Sequence, residues 1–199
     1  MEDIYLKLWD LAKPYYLNGR SYDIAHVEWM MREAEIISDI ESLDRRLLLP
    51  IVILHDVGYS TINDKNPNIK GKETKRVHMR EGARISRILL DSVGYEQQLE
   101  KRIVHYISVH DNWLFGDDTP FKECKEMAVF NDLDFLWVNA DINIFKKMAA
   151  SMGLVPGEFY NLWVNDEKLT RRPFCCDYTI RVWETSIRQI KQVLDASSQ

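Results

Sequence analysis

Five histidines occur in the 199 residues, and all of them lie between His26 and His110. His55 is followed directly by Asp56, at the end of the apolar run from Leu47 to Leu54. That places a nitrogen ligand beside an oxygen ligand, and two polar groups emerging from a buried segment need partners. Histidines kept for unrelated structural reasons would rarely segregate in this way. A shared metal site accounts for His26, His55, Asp56, His78, His110 and Asp134 together. The cysteines do not join it: Cys124, Cys175 and Cys176 lack metal-type spacing, and an odd number in a reducing compartment reads as free thiols. Imidazole and carboxylate donors without thiolate suit manganese, iron, cobalt, nickel or zinc better than magnesium.

The elements that must position these residues read as helices. Asp3 to Lys13 carries Ile4, Leu8 and Leu11 and is followed by Pro14, a short helix and its stop. The next helix takes Ser21 or Asp23 as its cap and continues through Val27, Met31, Ala34 and Ile37. His26 lies near its start, where, taken alone, it reads more readily as a core histidine than as a ligand. Ser42 or Asp44 opens the apolar helix that delivers His55. In it Pro50 removes a backbone donor and predicts a kink or a late start, while Gly58 can end the segment in a left-handed conformation. The run is too short for the roughly 20 residues a bilayer requires.

A polar loop from Tyr59 to Thr74, with Asn66-Pro67-Asn68 and Gly71, precedes a helix that begins near Thr74 and ends before Gly94. Its stripe of Ile85, Ile88 and Leu89 leads back through Gly82 to His78, which therefore faces inward, and Gly82 permits a close backbone approach. Around the start of this helix, Lys65, Lys70, Lys72, Lys75, Arg76 and Arg80 face only Asp64, Glu73 and Glu81. That is either a solvated basic face or an anion site.

From Glu96 to His110 the stripe is Leu99, Ile103, Tyr106, Ile107 and His110. His105 points about 140° away from His110 at about 100° per residue, so His110 is the inward one. Trp113, Phe115 and Phe121 in the following loop are core residues or a pocket lining. A helix near residues 122–138 is apolar nearly all round, so Asp132 and Asp134 inside it require partners. Further helices follow near residues 142–152, after Pro156 and at the end, where Ile180, Trp183, Ile187, Ile190 and Leu194 form a packing stripe.

Hydrophobic content of 46% and a formal charge of −5 fit a soluble core and argue against general nucleic-acid or membrane adhesion. The acidic N-terminus lacks a secretory layout, which predicts a cytoplasmic protein. The expected fold class is all-α, a single-domain bundle of about seven to nine helices. Its motif core spans roughly residues 20–140, with the helices of 141–199 packing on it. Homo-oligomerisation stays open.

The order of these motifs resembles the HD-domain metal-dependent phosphohydrolases. The resemblance rests on His26, on Ile53-Leu54-His55-Asp56-Val57-Gly58, on His78-Met79-Arg80-Glu81-Gly82-Ala83, on Ile107-Ser108-Val109-His110, and on Asn131-Asp132-Leu133-Asp134. It implies that His26, His55, Asp56 and Asp134 bind a first metal, and that His78 and His110 bind a second or contact phosphate. It implies a hydrolase acting on a small phosphate-containing substrate, a phosphomonoester, phosphodiester or phosphoanhydride, with nucleotides as candidates. Asp56 would orient a metal-activated water, and Asp132, Glu81 or Asp111 would serve as acid or base. Lys72, Lys75, Arg76 and Arg80 would hold phosphate. Two alternatives share the scaffold: a di-iron oxygenase, and a non-catalytic binding or signalling module clamped by metal.

Overall fold

Helices with buried apolar faces, the apolar run of 47–54 being buried on every side, and short 3₁₀ turns between them account for the regular structure, and among the described residues there is no strand. The computed structural model describes residues 1–20, 22–62 and 71–196. The cap candidate Ser21 and the loop residues Asp64, Lys65, Asn66, Pro67, Asn68 and Lys70 lie outside the described residues. The all-α class expected from the periodicities is what the chain adopts. The chain divides into two compact units, Met1–Phe130 and the remainder from Asn131.

In the first unit, α1 (Asp3–Leu17) buries Tyr5, Leu8, Trp9, Ala12 and Tyr16. It does not stop at Pro14, as the sequence predicts, but continues a further turn. An interior proline costs about 3 kcal/mol, and the turn beyond it is tied down on both sides. Tyr16 is buried and donates its hydroxyl to the Ile53 carbonyl at 2.7 Å, while the Asn18 amide donates to the Pro14 carbonyl at 2.8 Å. Asp23 is the first residue of α2 (Asp23–Glu41) rather than its cap.

The apolar run forms α3 (Arg45–Leu54), capped by Asp44, whose side chain accepts from the Arg46 N–H at 3.0 Å. The helix therefore starts early and runs through Pro50. Pro50 cannot donate to the Arg46 carbonyl four residues back. The Tyr95 hydroxyl donates to that carbonyl instead, at 2.7 Å. After α3 comes a 3₁₀ turn, Val57–Thr61, and then α4 (Lys72–Ser92).

Gly58 is required for a reason other than the predicted left-handed turn, because it has no positive φ. A Cβ on it would stand 2.0 Å from the His78 carbonyl oxygen and 2.6 Å from the Gly82 nitrogen. The 3₁₀ turn and α4 thus touch backbone to backbone. Gly82 serves the same approach, since its Cβ would meet the His55 carbonyl oxygen at 3.3 Å. On α4 the buried face is Val77, His78, Gly82, Ile85, Ser86 and Leu89, while Ile88, predicted to lie on it, is 53% exposed. The chain continues through α5 (Gln97–Val109), 3₁₀ turns at Asn112–Phe115 and Thr119–Lys122, and α6 (Lys125–Leu136), within which the boundary between the units falls.

The second unit holds the rest of α6, a 3₁₀ turn at Trp137–Asn139, α7 (Ile142–Ser151), α8 (Pro156–Trp163), the short α9 (Lys168–Arg171) and α10 (Asp177–Ala196). Val138, Phe145, Ala149, Phe159 and Ile190 form its buried cluster. The C-terminal stripe packs only in part: Ile190 is buried, whereas Ile180 is exposed. Asp132 accepts from Lys168 Nζ at 2.5 Å, from the Cys175 N–H at 2.8 Å and from the Thr179 hydroxyl at 2.8 Å. Among the described residues, no helix is long and apolar enough to cross a membrane.

Candidate metal centre

Helix ends and helix interiors both contribute. His55 caps the C-terminus of α3 and His110 that of α5, so each leaves its helix where further turns no longer crowd it. His26 and His78 lie inside α2 and α4, on their buried faces. Asp56, immediately past α3, is also buried. His105 is exposed, as the helical phase predicts.

The ring nitrogens are sorted by local backbone. Nδ1 of His55 lies 2.9 Å from the Val52 carbonyl, and Nδ1 of His110 lies 2.7 Å from the Ile107 carbonyl, each three residues back. A proton on Nδ1 donating to that carbonyl turns the Nε2 lone pair toward the centre, the arrangement typical of metal-binding imidazole. Nε2 of His78 and of His110 are 3.1 Å apart, and each is 3.5 Å from Asp56 Oδ1. Donors about 2.1 Å from a shared tetrahedral ion stand roughly 3.4 Å from one another. The three atoms therefore fit one ion in number, type and spacing.

A second group of donors, from Asp23, His26 and Asp56, also lies within 4.8 Å of one another. The His26 and His55 rings meet edge to face at 5.3 Å, and Asp56 Oδ2 is 3.3 Å from His55 Nε2. Asp56 is thus common to both groups, with Oδ1 toward His78 and His110 and Oδ2 toward His55.

Charge is arranged to keep this cluster ready to bind. Burial works to raise the Asp56 pKa, but Arg20, His55 and His110 outweigh it and hold the carboxyl well below the usual range. Burial and the neighbouring His110 push the His78 pKa down to about 3, so its imidazole is neutral. Asp111 Oδ2 lies 3.3 Å from His78 Nε2 and accepts from Lys75 Nζ at 2.8 Å. Burial opposes the charge on Lys75, yet Asp111 raises its pKa overall.

The remaining predicted residues are divided. Lys75 reaches the cluster. Lys72 and Arg76 are exposed and lie against the Phe115 ring, at 5.8 and 4.4 Å from its centroid. Phe121 is buried, while Trp113 and Phe115 are half-buried, with the Trp113 indole N–H donating to Asp111 at 3.2 Å. Arg80 is exposed and pairs with Glu81 at 3.2 Å. Glu81 also accepts from Arg84 at 2.9 Å, and that bond chiefly lowers its pKa. Both of these arginines lie on its own helix, α4. Asp132 is anchored inside the second unit by the three donors described above, and Asp134 is a half-buried residue of that unit.

Periodicity gave no indication of Arg20 or Tyr59, which lie outside the regular helices that carry the histidines. Arg20 sits in the link before α2 and contacts both Asp23 and Asp56. Tyr59 stacks on His78 with centroids 4.2 Å apart. An arginine three residues ahead of an N-terminal helix aspartate was the available signal for the first, and nothing marked the second.

A family model described as HD domain matches residues 23–129. Comparison with curated proteins and with solved structures gave no match.

Proposed function

We propose that this chain, which belongs to the HD domain family, is a metal-dependent phosphohydrolase that cleaves a phosphomonoester, phosphodiester or phosphoanhydride, nucleotides being the first candidates to test. The observation that carries this reading is the convergence of His78 Nε2, His110 Nε2 and Asp56 Oδ1 at separations suited to one ion. His26 and His55, with Asp134 from the sequence pattern, are proposed to hold a first metal. His78 and His110 are proposed for a second, and Asp56 for both.

A bound divalent transition metal would lower the pKa of a coordinated water toward about 7 and polarise a phosphoryl oxygen. The rest falls to the chain. Asp56, which Arg20 keeps ionised before metal binds, orients the attacking water through a carboxylate oxygen. Asp111 Oδ2, beside His78 and held by Lys75, supports its choice as the proton carrier over Glu81 and Asp132, whose carboxylates are engaged elsewhere. Lys75 faces the cluster, and Lys72 and Arg76 add positive charge around Phe115, where the distal part of a phosphate ester would bind.

The test is to load the purified protein with manganese, cobalt, nickel or iron and to screen phosphomonoesters, phosphodiesters and nucleotides. Turnover with at least one metal, abolished in Asp56→Ala, is expected. Absence of turnover with every metal, or turnover untouched by Asp56→Ala, would overturn the reading.

A further inference from the structure

Arg20 has a more specific place than a surface cation. Its Nε donates to Asp23 Oδ1 at 2.8 Å and its backbone N–H to Asp23 Oδ2 at 3.1 Å, while Nη2 donates to Asp56 Oδ2. The guanidinium carbon lies 3.6 Å from the Tyr59 ring centroid and 4.9 Å from that of Tyr22. Tyr59 is stacked on His78 at 4.2 Å with an interplanar angle of 13°. Two groups so close to one ring centroid cannot share a face, so Arg20, Tyr59 and His78 form three layers. Arg20 is therefore held by two anchors, Asp23 and Tyr59, that do not depend on Asp56.

The oxygen that Arg20 occupies is also the one turned toward His55, with Asp56 Oδ2 3.3 Å from His55 Nε2. A cation ligated there must share or displace the guanidinium, so the two compete. Around this point Asp23, Asp56 and Asp111 outnumber Arg20 and Lys75, and an anion meets net negative charge. One divalent cation reverses that sign.

We propose that Arg20 is the phosphate-binding residue of the centre, capping Asp56 until metal takes that carboxylate and then presenting its guanidinium to the phosphoryl oxygens of the substrate. The proposal rests on the phosphohydrolase reading of the site. Guanidinium carries five N–H donors in a planar fork, and one stays with Asp23 through Nε, which leaves the Nη groups for an oxyanion. Binding is then ordered, with metal first and phosphate second.

Calorimetry on the full chain tests this with manganese alone, followed by inorganic phosphate titrated into the metal-loaded protein, for wild type, Arg20→Gln and Arg20→Lys. Wild type is expected to bind phosphate only after metal. Arg20→Gln is expected to bind manganese about tenfold more tightly, its competitor having been removed, and to bind phosphate about 10- to 100-fold more weakly, the loss of one charge-assisted contact. Arg20→Lys keeps the charge that offsets Asp23 and Asp56, and so keeps the readout should the glutamine variant fail to fold. It loses the fork, and its phosphate affinity is expected to fall severalfold. Manganese binding with phosphate affinity unchanged in the variants overturns the role of Arg20 alone. Wild type that binds no manganese, cobalt, nickel or iron overturns both this proposal and the metal-dependent reading.

Discussion

The Nε2 atoms of His78 and His110 stand 3.1 Å apart and share Asp56 Oδ1 as a common neighbour at 3.5 Å, although the two histidines are 32 residues apart in the chain. Two imidazole nitrogens at that separation need a proton or a cation between them. Metal at 100 times its dissociation constant is therefore expected to stabilise the wild-type protein by about 2.7 kcal/mol. His78→Ala and His110→Ala should reduce that gain, and the exposed His105→Ala should not. Thermal melts with and without manganese check this.

The metal-free protein should also carry the titration of His78 in its stability. Its folded pKa of about 3 lies below the 6.5 of a free imidazole, so as pH falls the unfolded chain takes up the proton first. Stability is thus fully present above about pH 6.5 and is lost progressively toward about pH 3, a contribution on the order of a few kcal/mol. Urea unfolding between pH 7 and 4 should show a steeper acid loss for wild type than for His78→Gln.

Gly58→Ala tests the backbone contact beneath the centre. The new methyl would meet the His78 carbonyl at 2.0 Å and the Gly82 nitrogen at 2.6 Å, and both are main-chain atoms. A loss of about 3 kcal/mol is expected, at the upper end of overpacking costs, together with weaker metal binding because His78 is displaced. Gly82→Ala meets its nearest neighbour at 3.3 Å and should cost about 1 kcal/mol. Equilibrium unfolding and metal titration of both variants decide this.

Asp132 is expected to matter for stability and not for chemistry. Lys168, 1% exposed, donates to it and lies 3.7 Å from the Phe174 ring centroid. Lys168→Met strands a buried carboxylate at a cost of about 3–5 kcal/mol. Asp132→Asn should lower the melting temperature while leaving turnover per folded molecule near the wild-type value. A large fall in kcat with an unchanged melting temperature would return Asp132 to the catalytic set.

Tyr95 and Pro50 should be coupled. The Tyr95 hydroxyl supplies the donor that Pro50 withholds from the Arg46 carbonyl. Tyr95→Phe is expected to cost about 1 kcal/mol in the wild-type background and clearly less in Pro50→Ala, where the helix donates for itself. A double-mutant cycle by urea unfolding reads the difference.

What the sequence determined by itself was the helical class, the inward histidines and the adjacent pair His55 and Asp56. Those depend on periodicity and chain adjacency: His78 and His110 follow apolar stripes at helical spacing, and His55 is bonded to Asp56. Helix ends were less legible. Pro14 and Pro50 read locally as breakers, but Tyr16 and Tyr95, each far along the chain from its carbonyl partner, secure the turns that the prolines weaken. Gly58 read as a turn residue, and only the approach of α4 shows that it must lack a side chain. The tertiary structure alone decided which cations and carboxylates meet. It drew Lys75 to Asp111 and Arg20 to Asp56, left Arg80 on the surface, and gave Asp132 to a buried lysine. Charge pairing between distant segments has no period to betray it. It is fixed by where packed helices bring their ends.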